Sequence, residues 1–346
     1  MEVRRFDSYE AVKPLWEELN RTYKNGELTV DWTAHRIIWD HFYAIRGSRL
    51  MILAGLENGC CTGIFPFVCE EPGEPPQWVF SDDFIISREY FCPPDKIHLF
   101  RDLLPSHLSD DLSCFYKPDY PASFAQAPGG MVDLLDSPEA FLRSVGKKSR
   151  HALSRVLRDN SDIRIEVDNR VRVDEIQGIL HSQLAYWLKK KGYEREEDYT
   201  YSRDKIGTDL ALMQRAAEMG KLIALYFYLD AQLLAANFSV ARETNRVDDY
   251  LCLRDCREPF SRRGLGFLAI LKNMAHCRSR GIRYYDLSAC MDEYKKRFIN
   301  TDLSFYYLPR SSFRDPVQAG RDISLDSPVQ PDQIQTPGGL PCTLKN

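Results

Sequence analysis

Near the start of the chain, apolar residues recur every three or four positions, which predicts a helix over 6–23 that begins at Asp7 or Ser8. A second helical pattern of apolar residues covers 32–45. We therefore expect the chain to open with two helices.

Patterns typical of strands follow these helices. Two apolar runs flank the pair Asn58-Gly59, and because both residues accept positive φ, the pair predicts an antiparallel hairpin. Shorter strands are predicted at 77–80 and 113–116, with a helix near 95–104. The loop-forming sequence APGG at 127–130 then indicates the end of a first domain.

A second domain is predicted to begin with a helix at 138–160, opened by Ser137 and Pro138 in the N-cap and first-turn positions. The elements predicted after it are a strand at 163–167, helices at 173–191 and 203–219, a three-strand meander over 221–255, a helix at 262–280, a strand at 282–288 and a helix containing EYKKRF. Strands in series followed by a strand-helix-strand unit indicate an α+β fold, with helices on both faces of a mixed sheet.

Composition supports two domains, which we place at 1–130 and 131–312. The chain has 346 residues, of which 44% are hydrophobic, and this length exceeds the usual size of a single core. After Pro309 the sequence is rich in Pro, Gly, Gln, Asp and Ser, so we expect 313–346 to form an extended or disordered tail. No apolar run reaches the eighteen or so residues of a membrane span, and the N-terminus lacks the features of a secretory signal, which favours a cytoplasmic protein.

Charge and cysteine content exclude two further classes. A formal net charge of -4 and an isoelectric point near 6.0 argue against a general nucleic-acid binder. The ten cysteines are scattered, and the adjacent Cys60 and Cys61 would point to opposite faces of a strand. Their spacing indicates neither a metal site nor a disulfide framework, so we expect no metal cofactor.

The first segment that could carry chemistry contains Arg262, Arg263, Gly264 and Gly266, between a predicted strand and a predicted helix. Such a turn allows backbone N–H groups to face an anion at a helix N-terminus, and the two arginines would add charge-assisted donors. The alternative is a helix start with incidental glycines. The spacing does not match a Rossmann turn, because a third glycine is missing.

The second such segment is the basic helix predicted at 138–160. Its cationic side chains are Arg143, Lys147, Lys148, Arg150, Arg155 and Arg158, and Lys189, Lys190 and Lys191 could extend the same patch. A helix of this kind is either a solvated face or a cradle for the phosphates of a donor or an RNA.

The third segment runs from Asp286 to Phe298. A strand that ends at Asp286 places a carboxylate at the rim of the sheet, where open α/β sheets bind ligands. Tyr294, Lys295 and Phe298 follow at the i, i+1 and i+4 positions of the predicted helix, so the two aromatic residues share a face. These groups could position an amine and take its proton, or they could be a core aromatic pair beside a surface lysine.

The order of these segments resembles that of the CelD/BcsL-type acyltransferases, which are relatives of the FemAB peptidyltransferases. The similarity covers roughly 1–310 and includes the closing motif of Asp286, Tyr294-Lys295 and a following aromatic residue. Its other residues, in chain order, are Trp16, Leu19, Gly63-Ile64-Phe65-Pro66, Ser81-Asp82-Asp83, Lys148, Arg150, Leu153, Arg155, His181, Trp187, Gly192, Leu233 to Asn237 and Gly264. The chain departs from the family pattern at Cys290, where glycine is common, and at Arg262-Arg263-Gly264, where the family has Ser-Pro-Gly.

The resemblance implies two GNAT-like (acyl-CoA N-acyltransferase) domains in tandem, with catalysis mainly in the second. Enzymes of this type form no covalent intermediate: backbone N–H groups polarise the donor thioester, the amine attacks directly, and the protein supplies placement and a proton acceptor. We expect acyl-CoA or an acyl-carrier protein as donor. The expected acceptor is a small-molecule or saccharide amine, in polysaccharide, envelope or secondary metabolism.

The resemblance and the three segments together give a set of expected site residues. They are Asp286, Tyr294 and Lys295 as catalytic residues; Arg262, Arg263, Gly264, Gly266, Lys148 and Arg150 at the donor; and His181, Trp187 and Phe298 at the substrate. Two alternatives stay open. One is aminoacyl transfer from tRNA, which the basic helix favours and the acidic net charge disfavours, and the other is a non-catalytic binding protein of the same fold.

Overall fold

The computed structural model describes residues 2–23, 26–69, 77–78, 91–93, 96, 112–114, 125–128, 130–135, 137–195, 202–242, 245–287, 293–301 and 304–308. Two compact units divide the chain: Met1–Ala127 with the chain from Phe305 onward, and Pro128–Ser304. Four predicted features lie outside the described residues, namely the helix near 95–104, Ser81-Asp82-Asp83, Cys290 and the tail at 313–346.

The first unit contains a four-stranded antiparallel sheet in the order β1-β2-β3-β4. Its strands are β1 (Glu2–Phe6), β2 (Arg49–Glu57), β3 (Cys60–Cys69) and β4 (Gln77–Trp78). Asn58 and Gly59 connect β2 to β3 with φ angles of 53° and 82°, which confirms the predicted hairpin. A second sheet of this unit has the order β5 (Leu112–Cys114), β13 (Ser304–Leu308) and β6 (Ala125–Pro128).

Two helices accompany these strands. The first is α1 (Tyr9–Thr22), and the hydroxyl of Ser8 caps it by accepting from the backbone N–H of Ala11 at 3.2 Å, as predicted. The second is α2 (Trp32–Ile38), which continues as a π-helical turn and a 3₁₀ turn to Arg46. The helix predicted over 32–45 is therefore confirmed in extent, although only its first half is α-helical.

The core of the first unit contains a buried histidine. His35 is 2% exposed, and its Nε2 lies 3.0 Å from the carbonyl oxygen of Thr29. The Trp16 ring packs edge-on against it with 4.6 Å between ring centroids. Because burial penalises the charged imidazole, the pKa of His35 is lowered to about 3, so this side chain is neutral under ordinary conditions.

The second unit is built on a six-stranded mixed sheet in the order β7-β12-β11-β10-β9-β8. The strands are β7 (Met131–Asp133), β8 (Arg164–Asp168), β9 (Leu222–Leu229), β10 (Gln232–Arg242), β11 (Arg246–Arg254) and β12 (Tyr284–Asp286). Strands β11 and β12 run parallel, and every other pair is antiparallel. The predicted meander and the strand-helix-strand unit after it are both confirmed.

Helices cover both faces of this sheet, as predicted. They are α3 (Pro138–Ser144), α4 (Lys147–Asp159), α5 (Val173–Lys191), α6 (Arg203–Glu218) and α7 (Leu265–Ser279). Helices α3, α4 and α7 share one apolar core with Leu225 and Phe227 of β9. Because successive strand residues point to opposite faces, Tyr226 and Tyr228 of β9 face the other way, where the Tyr226 hydroxyl accepts from the N–H of Arg172 just before α5.

The basic helix predicted at 138–160 is two helices rather than one. Val145 has an extended backbone with ψ of 156°, which ends α3, and Gly146 then forms the N-cap of α4. An extended residue interrupts the i to i−4 hydrogen-bond ladder, so the chain has to begin a new helix.

Strand β11 carries one extra residue relative to β10. The register shifts between Phe238 and Ser239, and Tyr250 is the additional residue opposite them. The Tyr250 hydroxyl donates to Oδ1 of Asp209 on α6 at 2.8 Å. Lys205, one turn earlier on α6, forms an ion pair with Oδ2 of Asp209 at 2.8 Å, and both charged side chains are 3% exposed.

The cysteines differ from expectation at one position. Cys60, next to the hairpin turn, is disulfide-bonded, so the prediction of no disulfide is wrong there. Cys61 faces the other side of β3 because strand neighbours alternate, and burial raises the pKa of its free thiol to about 12. In the described part of the chain, no helix has the length and apolarity needed to cross a membrane.

Candidate functional site

Strands β11 and β12 pair over a short distance and then separate. Their parallel register joins only Arg246, Val247 and Asp248 to Tyr284, Tyr285 and Asp286. Strand β10, on the other side of β11, pairs with it as far as Arg254. Within the described ranges, no strand pairs with 249–254 on the β12 side, so β11 presents an open edge there. We call the point after Asp248 and Asp286, where the two strands separate, the fork.

Asp249 is the first residue of β11 after the fork, and its side chain is half-buried. Its Oδ1 accepts from Nδ2 of Asn237 at 2.9 Å and from the Tyr285 hydroxyl at 2.7 Å. Asn273 of α7 extends this network, since its Nδ2 donates to Oδ1 of Asn237 and to Oγ of Ser239. The carboxylate is therefore fixed by side chains from β10 and β12.

The electrostatics of the fork favour a carboxyl group that can exchange a proton. Burial raises the pKa of Asp249, while the hydrogen bonds from Asn237 and Tyr285 and the positive charge of Lys295 act in the opposite direction. Lys295 is only 5% exposed. A carboxyl with a raised pKa near a buried ammonium group is an arrangement suited to general acid–base chemistry.

The far end of β11 meets the start of α7. Gly264 has φ of 69° and forms the N-cap of this fifteen-residue helix. A Cβ placed on Gly266 would lie 2.7 Å from Nη1 of Arg254, so the guanidinium rests directly on the first turn of α7. No carboxylate of the described residues lies within ion-pair distance of Arg254. A cation and a helix N-terminus together form an anion-binding site.

The two arginines predicted at this turn have other partners. Arg262 forms an ion pair with Glu258 at 3.2 Å on the surface. Arg263 forms an ion pair with Asp162 at 2.5 Å and also donates to the carbonyl oxygen of Asp159. The structure therefore adds Arg254, which sequence reasoning missed, at the position expected for these two.

Asp286 lies on the opposite face of the sheet from Asp249. It follows Tyr285, whose hydroxyl reaches Asp249, and neighbouring strand residues alternate between faces. Its Oδ2 lies 4.0 Å from Nε of Arg246, and its side chain is 5% exposed. The described contacts thus connect Asp286 to Arg246, whereas Lys295 acts on Asp249.

The helix predicted to contain EYKKRF is a single 3₁₀ turn, Lys295–Arg297. Tyr294 precedes this turn and is 40% exposed, while Phe298 follows it and is fully buried. The expectation that these two rings share a helix face is therefore wrong. Phe298 instead stacks on Phe267 of α7, with 5.8 Å between ring centroids.

The remaining predicted residues lie on α4 and α5. Lys148 and Arg150 are exposed at the start of α4, and Arg150 donates to the carbonyl oxygen of Arg143 at 2.9 Å. His181 is exposed on α5. Trp187 is half-buried, and the Nζ of Lys190 lies 4.6 Å from the centroid of its ring. No contact among the described residues joins these four to Asp249 or Lys295.

One signal in the sequence could have pointed to the fork. The segment VDDYLCLRD carries carboxylates and an arginine inside an otherwise apolar strand of a meander. Burying such groups is costly unless they are paired or functional, so their position is informative. The hydrogen-bond partners on β10 and β12 could not be identified without the sheet order.

Residues 147–296 match the family of acetyltransferase (GNAT) domains. The fold of this region is thus the one predicted: α+β, of GNAT type, with a mixed sheet flanked by helices. Such a domain indicates acyl transfer as the general class of reaction. No curated protein matches the chain.

Several solved structures are similar in fold. The crystal structure of FemX aligns with a TM-score of 0.48 and 9% identity, over 79% of this chain and 91% of FemX. The C-terminal domain of a putative lysylphosphatidylglycerol synthetase from Agrobacterium fabrum aligns with a TM-score of 0.44 and 14% identity, over 85% of this chain and 92% of the domain. A tandem GNAT protein from the clavulanic acid biosynthesis pathway aligns with a TM-score of 0.42 and 12% identity, over 89% of this chain and 99% of that protein.

Among the described residues, no group of three or more His, Cys, Asp or Glu side chains could hold a metal ion. The buried carboxylates of the second unit are instead matched by protein groups. Asp209 forms an ion pair with Lys205, and Asp248 forms one with Arg246 at 2.9 Å. Asp249 accepts hydrogen bonds from Asn237 and Tyr285. The chemistry that these residues can perform is proton transfer and charge stabilisation.

Proposed function

We propose that this protein is an N-acyltransferase that moves an acyl group from an acyl-thioester, acyl-CoA or acyl-carrier protein, to an amine. The proposal rests on the succession of three features along β11: the carboxyl group of Asp249 at the fork, the open strand edge, and Arg254 on the first turn of α7. The family match to an acetyltransferase domain over 147–296 supports it.

This succession corresponds in chemistry to the arm of a thioester donor. The arm is an extended chain that carries amide groups and ends in a phosphate. An open strand edge offers N–H and C=O groups to amides, as in strand addition. The N-terminus of α7 and Arg254 offer donors and positive charge to the phosphate. Such a chain would place its thioester towards the fork.

At the fork, we propose that Asp249 is the proton acceptor. The amine attacks the thioester carbonyl, a C–N bond forms, the C–S bond breaks, and the leaving thiolate receives, by way of Asp249, the proton that the amine loses. Asp249 takes the proton of the attacking amine, and its raised pKa brings it closer to the pKa range useful near neutrality. Lys295 supplies positive charge near the developing oxyanion.

This proposal adds Asp249 and Arg254 to the predicted site residues. Tyr294, Lys295 and Asp286 belong to the acceptor side, with His181 and Trp187 as substrate contacts. Phe298, predicted as a third such contact, is fully buried and stacks on Phe267, so it has no contact with substrate in this proposal. Gly264 and Gly266 belong to the donor phosphates, together with Arg262, Arg263, Lys148 and Arg150. The exposed ring of Tyr294 next to the buried Lys295 supports a cleft that is open to an acceptor.

Calorimetric titration with acyl-CoA and with acyl-carrier protein tests the proposal, followed by mass spectrometry of amines incubated with the donor that binds. We expect binding of at least one donor, and a loss of affinity in Arg254→Ala. Absence of binding by both donors would contradict the proposal.

A second candidate is transfer of an aminoacyl group from tRNA to an amine. The observation that favours it is the row of exposed cations at the start of α4, including Lys147, Lys148 and Arg150, none of which is neutralised by an ion pair in the described residues. Phosphate backbones bind to such rows. Activity in a lysate that disappears after ribonuclease treatment would support this candidate, and activity that persists would support the thioester donor.

A further inference from the structure

In the part of the chain that the structure describes, the side chain of Gln183 on α5 occupies the open edge of β11. Its Oε1 accepts from the backbone N–H of Arg254 at 2.7 Å. Its Nε2 donates to the carbonyl oxygen of Cys252 at 3.4 Å. A single carboxamide thus occupies two backbone groups, which are two residues apart on the same strand.

These two groups point away from β10 and towards the side that β12 has left. The backbone N–H of Asp255 donates to the carbonyl oxygen of Leu234 at 2.7 Å. In the register of β10 and β11, the next pair is Ala235 and Arg254. Backbone N–H groups of successive strand residues point in opposite directions, so the N–H of Arg254 faces the open side. The carbonyl of Cys252, two residues earlier, faces the same side.

The contacts of Gln183 reproduce those of one residue in a neighbouring parallel strand. In a parallel pair, one residue donates to the carbonyl before its opposite number and accepts from the N–H after it. The carboxamide does the same around Leu253, with Cys252 before it and Arg254 after it. It therefore holds the place that an N–H and a C=O from two successive amides of an extended ligand would take.

We propose that Gln183 is a placeholder for the donor: its carboxamide satisfies the open edge in the empty protein and turns away when an N–H and a C=O from two successive amides of the donor arm pair with Cys252 and Arg254. This proposal rests on the thioester-dependent function proposed above. It makes Gln183 a residue that sets donor affinity, because each donor molecule has to displace two hydrogen bonds before it can form its own.

The exchange needs only a side-chain rotation. Helix α5 is held to the end of β11 by the neighbouring Ser182, whose hydroxyl donates to Asp255 at 2.9 Å and accepts from the N–H of Cys256 at 2.8 Å. These contacts do not involve Gln183. The helix can therefore stay in place while Gln183 moves. Because the carboxamide is neutral, no charge has to be transferred to or from water during the exchange.

Binding of pantetheine, which carries amides and no phosphate, tests the placeholder directly. In Gln183→Ala the donor no longer competes with two hydrogen bonds, so we expect the Kd for pantetheine and for CoA to fall about tenfold. Adenosine 3′,5′-bisphosphate carries phosphates and no amide, so its Kd should not change. Gln177→Ala, at an exposed position on the same helix, is the matched control and should bind all three ligands like the wild type.

Failure of the placeholder proposal can be distinguished from failure of the proposed function. If Gln183 only fastens the helix, Gln183→Ala binds pantetheine no more tightly than the wild type, and the placeholder is rejected while CoA binding by the wild type still supports the proposed function. If neither the wild type nor the variant binds CoA or pantetheine, both proposals fail. Should Gln183→Ala not fold, Gln183→Met keeps the length of the side chain, removes both hydrogen bonds and serves the same measurement.

Discussion

Arg254 and Gly266 are in contact so closely that a side chain on the glycine would displace the guanidinium. A Cβ at position 266 would come within 2.7 Å of Nη1 of Arg254, which is closer than van der Waals contact allows. The guanidinium therefore lies against the first turn of α7. This contact brings a cation and a helix N-terminus to one point.

Gly266→Ala should weaken CoA binding about tenfold or more, because the methyl group pushes Arg254 away from the phosphate position. Calorimetric titration with CoA measures the effect. The control is Gly207→Ala in α6, where a Cβ meets no atom within 4 Å. That change should leave CoA binding as it is and stabilise the helix by about 0.5–1 kcal/mol. Equal affinities for CoA in the two variants would argue against an anion site at Arg254.

Asp249→Asn should lower kcat by about 10²–10⁴-fold, because an amide cannot accept the proton of the amine. Both hydrogen bonds to Asp249 are made to Oδ1, which asparagine retains, so the local structure should persist. Steady-state kinetics with saturating donor gives the rate. A variant that keeps wild-type kcat would remove Asp249 from the mechanism.

The same variant should be more stable than the wild type at neutral pH. The pKa of Asp249 is raised by folding, so its contribution to stability is present below the unfolded pKa and is lost as pH rises through the folded pKa. Asparagine is neutral at every pH and avoids this loss. We expect the Tm of Asp249→Asn to exceed that of the wild type at pH 7 and the difference to shrink towards pH 4. A difference that grows on acidification would contradict this assignment.

The ion pair of Lys205 and Asp209 is buried beneath Tyr250, and breaking it should destabilise the second unit strongly. Asp209→Asn keeps the hydrogen bond to Tyr250 but leaves the ammonium group without its counter-charge, which costs about 3–5 kcal/mol. Adding Lys205→Met to this variant removes the orphaned charge and should recover most of the loss. Urea unfolding of the two variants measures both steps, and a double variant no more stable than the single one would contradict the argument.

His35 should make the first unit sensitive to acid. Its folded pKa of about 3 lies below the unfolded value of about 6.5, so unfolding takes up a proton between these limits and stability falls as pH decreases through that range. Between pH 6.5 and pH 5 the loss should be about 2 kcal/mol. In His35→Gln, an amide can still meet the carbonyl of Thr29 and this loss should disappear. His151→Gln, at an exposed position, should retain the full loss.

Local patterns predicted most of the described elements. The N-cap at Ser8, the hairpin at Asn58-Gly59 and the helix at 173–191 each follow from residues close together in the chain, and all are confirmed. The helix expected around Tyr294 is only a 3₁₀ turn, because the contact between Phe298 and Phe267 of α7, rather than helical periodicity, decides the local conformation.

The site was less accessible to sequence reasoning. Its central carboxylate depends on which strand lies beside which: Asp249 is defined by Asn237 on β10 and Tyr285 on β12, and neither pairing can be read from spacing along the chain. Asp286 and Lys295 are close in sequence, yet their described partners are Arg246 and Asp249 on opposite faces. The domain boundaries at 130 and 312 and the roles of the predicted site residues stay predictions.

The extra residue at Tyr250 has a consequence for how β11 tolerates insertions and deletions. Asp249 and Arg254 are five positions apart, so in a regular strand they would point to opposite faces. Because Tyr250 is an additional residue, both side chains point towards α7. Removing one residue between them and losing the bulge would leave them four positions apart in a regular strand, with both side chains still on the same face. Inserting one residue while the bulge is kept would instead turn either the carboxylate or the guanidinium to the far side, so a single-codon insertion, and not a single-codon deletion, should separate the two groups.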